Sequence, residues 1–283
     1  MPARIDDLSL LLPEWQGWGV DASVGAGARA IAGLFEAGVF VEVAAPEVEL
    51  LEVESGVLGL SSIARRAAAT LAVIRDRRPA RIVAVGGTCG VELAPVSYLN
   101  ERYRGDLAVV WFDAHADLNT PETSPSGRFH GMVLRTLVGT GPAPLVSLLL
   151  RALSAEQVIL AGARDLDRGE AAFVSDAAIS LLAPADLLTP DRIAGRVRAG
   201  RFRHVYVHLD LDVIDPAEFP DALMPAPHGV SADNVAAAIS ALASSFDVVG
   251  FSVVEFRPRS ADALPRVRRL LDRCGIRIGA LAR

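Results

Sequence analysis

Residues 107–117 read LAVVWFDAHAD, an apolar run followed at once by three side chains that can bind metal ions. The apolar run, Leu107–Phe112, is typical of a strand that is buried on both faces. Asp113, His115 and Asp117 follow it at alternate positions. Because side chains at positions i and i+2 of a strand share a face, we expect these three to start on the same side of the chain.

A second segment has the same form. The apolar run Val205–Leu209 leads into Asp210 and Asp212. The carboxylates and imidazole of both segments would converge at the carboxyl ends of two strands, where like charges are tolerable only beside a cation. Oxygen and imidazole ligands suit Mn, Fe, Co, Ni or Zn, and two ions that share carboxylates could hold a bridging hydroxide and polarise a substrate carbon. The two clusters together predict a metal site, against the alternative of a solvated acidic turn with a chance histidine.

The composition limits the class of protein. The chain has 283 residues, 51% of them hydrophobic, and a formal net charge of −6. We predict a single domain over residues 1–283, because we find no Pro- or Ser-rich linker and no internal repeat. An acidic chain without a basic stripe is not expected to bind nucleic acid.

The cysteines and the termini bear on location. Cys89 and Cys274 lie far apart in the sequence, which fits a reducing compartment rather than a disulfide scaffold. Met1–Asp7 carries acids where a signal peptide would have a basic start. The apolar run Thr136–Leu150 is broken by Gly and Pro, so we expect no membrane span. These features predict a cytoplasmic protein.

Short apolar runs alternate with amphipathic stretches along the chain. The predicted strands are Arg81–Gly86, Leu107–Phe112, Gln157–Ala161, Ala178–Leu182, His204–Asp210 and Val248–Val254. The predicted helices are Ser61–Arg77, Val91–Tyr103, Pro190–Ala199, Ala232–Ser244 and Ala263–Arg273. This alternation predicts an α/β fold with a parallel sheet covered on both faces, and ligands bind such sheets beyond the carboxyl ends of the strands.

A polar loop rich in hydroxyls, Pro and Gly follows the first cluster, and loops at strand ends carry binding groups. The whole run Asp113–Gly131, DAHADLNTPETSPSGRFHG, resembles the ureohydrolases, and within them arginase more than agmatinase. The segments Gly162–Glu170, Leu209–Pro216 and Val253–Pro258 agree with this and recur in the family's order. The resemblance therefore covers most of the chain.

The resemblance implies a fold and an activity. The expected fold is a three-layer α/β/α structure around a mostly parallel sheet of about eight strands. The expected activity is hydrolysis of a guanidinium to urea and an amine at a di-manganese site, with L-arginine giving ornithine. The family also implies a homo-oligomer, a trimer or hexamer; Leu264–Leu271 and the tail Ile276–Leu281 could pack between subunits or complete the core.

The resemblance further implies a role for each matching residue. The metal ligands would be Asp113, His115, Asp117, Asp210 and Asp212, with Asp113 and Asp210 bridging the two ions. Asp117 would also relay the proton of the bridging hydroxide.

Other matches concern the substrate and its protons. His130 would be a proton shuttle at the mouth of the site, and Glu255 would pair with the guanidinium. The groups around the α-carboxylate would be Asn119, Ser124 and Ser126, and the acids near the α-amino group would be Asp167 and Glu170.

The chain departs from the family at a metal ligand. Where the family has G-G-D-H, this chain has Gly86-Gly87-Thr88-Cys89, so Cys89 takes the place of the sixth ligand, a histidine. A thiolate ligand favours Zn, Fe, Co or Ni over manganese. Alternatively Cys89 is an inert apolar residue, and then one ion loses a ligand or takes water instead.

A second departure is Arg128, where arginase has asparagine. An arginine at the mouth could bind a carboxylate with two parallel hydrogen bonds, which favours a substrate with an anionic tail. Together with Asp167 it fits an α-amino acid. The alternative is a solvated side chain paired with Glu122.

The remaining histidines have less direct roles. His208 lies two positions before Asp210 and shares its strand face, and we interpret it as a group that supports ligands rather than as a ligand. His204 begins a strand and is expected at the surface. His228 lies in a loop that could border the pocket.

Three functions therefore remain open. The first is hydrolysis of L-arginine. The second is the same chemistry on another guanidino or formimino compound, such as guanidinobutyrate, agmatine or formiminoglutamate; the cationic tail of agmatine does not suit Arg128. The third is a weakly active or non-catalytic family member, because of Cys89 and Thr88.

Overall fold

A sheet of eight parallel strands organises the chain. The computed structural model describes residues 7–275, so most of the acidic N-terminal stretch Met1–Asp7, and the tail Ile276–Leu281, lie outside the described residues. The sheet strands are β1 (Asp7–Leu12), β2 (Val41–Glu42), β5 (Arg81–Gly86), β6 (Leu107–Phe112), β7 (Val158–Ala161), β8 (Ser180–Leu182), β9 (His204–Asp210) and β10 (Asp247–Val254). Their order across the sheet is β2-β1-β5-β10-β9-β6-β7-β8. A separate two-stranded hairpin pairs β3 (Val53–Glu54) with β4 (Val57–Leu58).

Nine α-helices are assigned within the described residues. They are α1 (Ser23–Ala32), α2 (Leu60–Arg77), α3 (Leu93–Arg102), α4 (Val133–Leu137), α5 (Ala143–Val146), α6 (Arg168–Asp176), α7 (Pro190–Ala199), α8 (Ala232–Ser245) and α9 (Ala263–Arg273). Short 3₁₀ turns span Cys89–Glu92, Phe129–Met132, Ala155–Gln157, Pro184–Leu188 and Leu211–Val213. No helix in the described part of the chain is long and apolar enough to cross a membrane.

Strand β6 shows why the sheet has a helical layer on each face. Its side chains alternate between two apolar cores: Val109 and Trp111 pack with α2, α3 and α4, whereas Val110 and Phe112 pack with α1, α7, α8 and α9. A strand whose two faces are both covered must be apolar at every position, and all six residues of β6 are buried. The predicted three-layer α/β/α fold with a parallel sheet is confirmed.

The strand predictions differ in accuracy. The bounds predicted for β5, β6 and β9 match the structure. The predicted strand Gln157–Ala161 starts one residue later, since Gln157 ends a 3₁₀ turn, and β8 is two residues shorter than predicted. The predicted helix Val91–Tyr103 begins as the 3₁₀ turn Cys89–Glu92.

Helix α1 was not predicted, and its glycines explain why. Its sequence, SVGAGARAIA, has glycines that usually oppose a helix. At Gly27 a Cβ atom would lie 1.9 Å from the carbonyl oxygen of Phe256. The glycine therefore lets the helix approach the segment after β10, and this packing outweighs the low helix propensity.

Helix α6 was also not predicted, because its N-terminal signal was assigned to substrate binding. Asp167 is the N-cap residue, and Glu170 completes a capping box by accepting a hydrogen bond from the Asp167 backbone N–H at 2.8 Å. The family resemblance matches the same two acids to groups near an α-amino group, so one pair of acids fits both a helix start and a substrate site.

Gly87 fixes the turn that follows β5. Its N–H donates to the carbonyl of Leu12 at 2.9 Å, and its carbonyl accepts from the N–H of Glu255 at 2.9 Å. A Cβ atom here would lie 1.9 Å from the carbonyl oxygen of Glu14. The turn that carries Thr88 and Cys89 can therefore lie this close to the loop that follows β1 only with glycine at position 87.

We predict that Gly87→Ala lowers the free energy of unfolding by about 1–3 kcal/mol, because backbone atoms must move to admit the methyl group. The control is Gly195→Ala on an exposed face of α7, where the added atom meets nothing within 4 Å and should stabilise the helix by roughly 0.5–1 kcal/mol. Urea unfolding of both variants measures the difference. Equal effects at the two positions would contradict the account of this turn.

Candidate metal centre and substrate site

Four adjacent strands deliver the candidate site. Parallel strands all end at the same edge of a sheet, and the neighbours β5, β10, β9 and β6 lie side by side. The segments that follow their carboxyl ends carry Cys89, Glu255, the Asp210–Asp212 pair and the Asp113–Asp117 cluster. The structure shows the predicted convergence at one edge of the sheet. The strand order that produces it could not be predicted from the sequence.

The first group of ligand atoms joins β6 to β9. His115 Nδ1 lies 3.0 Å from Asp212 Oδ2 and 3.4 Å from Asp113 Oδ1. The N–H of Ala114 donates to Asp212 Oδ1 at 2.9 Å, and the N–H of His115 donates to Asp113 Oδ1 at 2.6 Å. One ligand atom from each of the three side chains lies within 4.8 Å of the other two, so a single cation could contact all three.

The second region centres on Cys89. The sulfur lies 3.3 Å from Asp210 Oδ2, and the Cys89 N–H donates to Glu255 Oε1 at 2.9 Å. Cys89, Asp210 and Glu255 form one group of mutually close ligand atoms, and Cys89, Asp113, Asp117 and His208 form another. Every residue of these two groups is buried, whereas His115 of the first group is half-buried. Two neighbouring cation positions that share carboxylates therefore fit this arrangement.

Like charges in the cluster shift its acids strongly. Burial, and then the charge of neighbouring carboxylates, holds the pKa of both Asp117 and Asp210 well above the usual range. For Asp212, burial and then the charge of Asp113 raise the pKa to about 6. Burial opposes ionisation of Asp113 too, but the neighbouring imidazoles of His115 and His208 bring its pKa below the usual value.

The thiol of Cys89 responds to the same field. Burial, followed by the charges of Asp117 and Glu255, raises the pKa of Cys89 well above its usual value. A divalent cation is the largest local charge in such a site and reverses this effect, because it favours every anion around it.

Unpartnered atoms support a fit to cations. Asp117 Oδ2, Glu255 Oε2 and His208 Nε2 are buried without a hydrogen-bond partner among the described residues, which is costly unless another group satisfies them. Asp117 and Glu255 also adopt positive φ angles of 54° and 60°, a conformation that is uncommon for non-glycine residues. Oxygen, nitrogen and sulfur donors of this kind suit divalent metals.

Beside the metal ligands lie the residues expected at the mouth. His130 Nδ1 is 3.5 Å from Glu255 Oε1, and its ring meets the Trp18 ring edge-on at a centroid distance of 5.7 Å. The Arg128 guanidinium carbon lies 4.1 Å from the centroid of Trp18. Among the described residues we find no ion pair between Arg128 and Glu122, so the aromatic face positions this arginine instead.

The polar loop brings together some of the other predicted groups. Asn119 Nδ2 donates to Asp167 Oδ2 at 2.8 Å, and Asn119 is buried while Asp167 is exposed. Ser124 Oγ accepts from the Gly127 N–H at 3.1 Å. Ser126 Oγ accepts from the Arg128 N–H at 3.3 Å. These contacts shape the loop and leave Ser124 half-buried and Ser126 exposed.

Glu170 occupies a different setting. It is buried, and its two carboxylate oxygens accept from the backbone N–H groups of Leu118 and Asp167 at 2.9 and 2.8 Å. Burial raises its pKa above the usual value. These contacts hold the loop after Asp117 against α6, and a role toward substrate stays a prediction.

The sequence did not point to several supporting residues. Thr88 Oγ1 donates to buried Glu14, whose pKa is raised by burial, and no spacing in the sequence connects these two. Trp18 packs against both Arg128 and His130. Glu92, three residues after Cys89, binds His208 Nδ1 at 2.8 Å; a single acid in the turn after a ligand is the one signal that could have drawn attention to it.

The fold and the site together define a three-layer α/β protein with clustered metal-binding side chains at the carboxyl edge of its sheet. The sequence model of the Arginase family matches residues 41–264, most of the chain. The chain belongs to the arginase family.

Individual relatives show the same similarity. An arginase of Staphylococcus aureus (strain MRSA252) is 35% identical over 180 residues, which cover 62% of this chain and 59% of that protein. An arginase of Bacillus caldovelox is 32% identical over 199 residues, covering 68% of this chain and 65% of that protein. The matching segment thus spans less than two thirds of the length of these relatives.

Solved structures show the same fold over nearly the whole chain. Entamoeba histolytica arginase, solved in complex with L-ornithine, has a TM-score of 0.86 at 22% identity, covering 96% of this chain and 99% of that one. Bacillus subtilis formimidoylglutamase has a TM-score of 0.70 at 15% identity, covering 95% and 85%. The predicted family and the arginase-like fold are confirmed.

We predict that divalent metal stabilises the chain through the acid cluster. At a free concentration one hundred times the dissociation constant, Mn²⁺ or Co²⁺ should add about 2.7 kcal/mol, roughly a 5 °C rise in Tm for a chain of this size. The doubly substituted Asp113→Asn/Asp210→Asn chain should lose this response, because each of the three groups of ligand atoms loses a carboxylate.

Thermal unfolding with and without a chelator measures the effect. The matched control is Asp76→Asn, an acid on α2 whose side chain is 85% exposed, which should respond to metal as the unaltered chain does. An equal rise in Tm for the doubly substituted chain would contradict this assignment of the site.

Proposed function

We propose that this protein is a metal-dependent ureohydrolase that cleaves a guanidinium C–N bond, with L-arginine giving ornithine and urea. The observation that carries the proposal is Glu255. Its carboxylate lies among the metal-binding groups with one oxygen held by the Cys89 N–H and the other, Oε2, unpartnered. A buried acid with a free oxygen beside a cation site is suited to a cationic, planar substrate group.

Divalent ions held by Asp113, His115, Asp117, Asp210 and Asp212 would supply a hydroxide nucleophile at neutral pH and offset negative charge in the pocket. Manganese is the proposed ion, and Cys89 extends the choice to Co, Ni, Fe or Zn. The protein residues account for the remaining requirements of the reaction.

Glu255 orients the substrate. Its free oxygen would accept charge-assisted hydrogen bonds from the guanidinium and fix the carbon toward the carboxylate cluster, so the reaction is favoured by position as well as by charge. The backbone strain at Glu255 (φ 60°) is consistent with a carboxylate held in place for this purpose.

Asp117 and His130 would transfer the protons of the reaction. Hydrolysis moves a proton from the attacking water to the departing amine, and the unpartnered Asp117 Oδ2 is the buried base suited to this relay. His130 contacts Glu255 on one side and is 15% exposed, so its imidazole can exchange protons with solvent. The amine then leaves neutral together with urea.

Arg128 carries the preference for the substrate's tail. Its guanidinium is held over Trp18 beside the loop of Asn119, Ser124 and Ser126. A cation at this position favours an anionic tail and disfavours agmatine, whose tail is cationic. The Asn119–Asp167 contact adds an acid that would suit an α-amino group, which supports arginine over guanidinobutyrate.

Two alternatives differ in their observable behaviour. The first is hydrolysis of formiminoglutamate, which also has an anionic tail; a formimidoylglutamase shares the fold. The second is a weakly active or silent family member. It is favoured by Cys89, which stands where the family has a metal-binding histidine and whose thiol donates a hydrogen bond to Asp210.

We also propose that the protein is a cytoplasmic homo-oligomer, a trimer or hexamer. The family resemblance supports the oligomer, and two buried free cysteines support the reducing compartment.

The substrate panel tests the function directly. Urea release should be highest with L-arginine and abolished by Asp113→Ala or Asp210→Ala, while the exposed-acid control Asp76→Ala keeps full activity. The panel is arginine, guanidinobutyrate, agmatine and formiminoglutamate, each with Mn, Co, Ni and Zn; ammonia and formamide assays cover the last compound. Retained urea release after either aspartate substitution would refute the assignment, and absence of turnover on every compound would favour the silent member.

We predict that Arg128→Asn lowers kcat/KM for arginine by about tenfold to one hundredfold, since a hydrogen bond between charged groups contributes about 1.5–3 kcal/mol. The loss should fall mainly on KM, and agmatine should be unaffected or improved. Arg77→Asn on α2, with a side chain 60% exposed, is the control. An equal loss for arginine and agmatine would show that Arg128 does not read the tail.

A further inference from the structure

His208 is a buried imidazole with one unused nitrogen. It is 0% exposed, and Nε2 has no hydrogen-bond partner among the described residues. The nearest acid, Asp113 Oδ2, is 3.7 Å away, beyond hydrogen-bond distance. A buried polar nitrogen left in this state is costly, so the site implies a partner for it.

The other nitrogen of the ring is firmly held. Nδ1 lies 2.8 Å from Glu92 Oε1, and the second oxygen of Glu92 accepts from the Tyr206 hydroxyl. Both Glu92 and Tyr206 are fully buried. A carboxylate behind one imidazole nitrogen is the usual support of a metal-binding histidine, because it fixes the ring and leaves the opposite nitrogen's lone pair free.

Packing fixes the plane of the ring as well. Trp111, paired with His208 across β6 and β9, stacks on it at a centroid distance of 3.5 Å and an interplanar angle of 12°. Ser252 lies opposite His208 on β10, with its Oγ 3.4 Å from Nδ1. The ring is thus confined between neighbouring strands and can offer Nε2 in one direction only.

That direction is the metal cluster. A nitrogen of His208, the sulfur of Cys89 and carboxylate oxygens of Asp113 and Asp117 all lie within 4.8 Å of one another. Ligands on opposite sides of one ion, at metal–ligand distances of about 2.0–2.3 Å, would be separated by up to about 4.6 Å. The span of the four atoms is therefore close to that of a shared coordination sphere.

We propose that His208 is a direct metal ligand, binding one of the two cations through Nε2 from strand β9 together with Asp113 and Asp117. The inference rests on the proposed function, since it concerns the same pair of ions. It gives one ion a nitrogen ligand from strand β9, and with Cys89 alongside it extends the choice of metal to Co, Zn or Fe.

A supporting role through Asp113 is the alternative. In the absence of a cation, burial lowers the pKa of His208, but the adjacent carboxylates of Asp113 and Glu92 outweigh burial and raise it. A protonated ring would donate to Asp113 and leave the metal to other groups. A bound cation competes for the same nitrogen and releases that proton, so the two roles differ in whether the imidazole contacts the ion.

X-ray absorption of the cobalt-loaded full-length protein separates the two roles, because the outer-shell scattering of imidazole rings counts coordinated histidines. The unaltered chain should show the contribution of both His115 and His208. His115→Ala should keep the His208 contribution, and His208→Gln should keep only that of His115. His204→Gln, at the far end of the same strand, is the control and should leave the spectrum unchanged.

Equilibrium dialysis with Co²⁺ gives a second readout. His208→Gln should weaken binding of one ion by more than about one hundredfold, beyond the loss typical of a supporting residue. If His208→Gln does not fold, the His115→Ala spectrum decides, and if that variant retains too little cobalt, the total imidazole contribution of the unaltered chain decides.

Two results overturn the inference, and they differ in what else they remove. Cobalt binding and urea release with only the His115 contribution would reject His208 as a ligand and leave the proposed function standing. Failure of the unaltered chain to bind either cobalt or manganese would reject the proposed function and this inference together.

Discussion

Negative charge is concentrated where the sheet ends, and the rest of the site depends on how that charge is balanced. Asp113, Asp117, Asp210 and Asp212 are buried at the carboxyl edge of β6 and β9. Burial and mutual repulsion hold the pKa of Asp117 and Asp210 far above the usual range. Such an arrangement is favourable only when cations join it, which makes metal binding and the stability of this edge a single question.

The apolar sheet supplies the rigidity that this arrangement needs. Central strands packed on both faces by helices fix where each strand ends, so the side chains that follow are held by two separate cores rather than by a mobile loop. Gly87 shows how closely this edge is built, since it joins the turn of Cys89 to both Leu12 and Glu255 through backbone hydrogen bonds. Sequence similarity to the arginase family over residues 41–264 is thus matched by a physical reason for the shared architecture.

Much of the fold followed from the sequence, because hydrophobic runs and helical periodicity are local signals. The bounds of β6 and β9 could be predicted from their continuous apolar side chains. Helix α1 could not, since Gly27 is explained by its approach to Phe256, a contact distant in sequence. The role of Glu170 at the start of α6 illustrates a different difficulty: the same acid fits a capping box and a substrate site, and only coordinates show which atoms its oxygens meet.

For the site, the sequence pointed to side chains that the structure brings together at one edge of the sheet, but not to the groups behind them. For His208, strand alternation predicts which face of the sheet it shares, but not how far its ring reaches. The positions of Glu92 and Trp111 around it depend on strand order and helix packing, which no local pattern contains.

The most direct measurement of the central claim is an anomalous difference map from crystals of the whole protein equilibrated with Mn²⁺ or Co²⁺. The account predicts two neighbouring peaks enclosed by Asp113, His115, Asp117, Asp210 and Asp212. Peaks confined to other surfaces, or a fully formed site with no metal in it at saturating concentration, would contradict it.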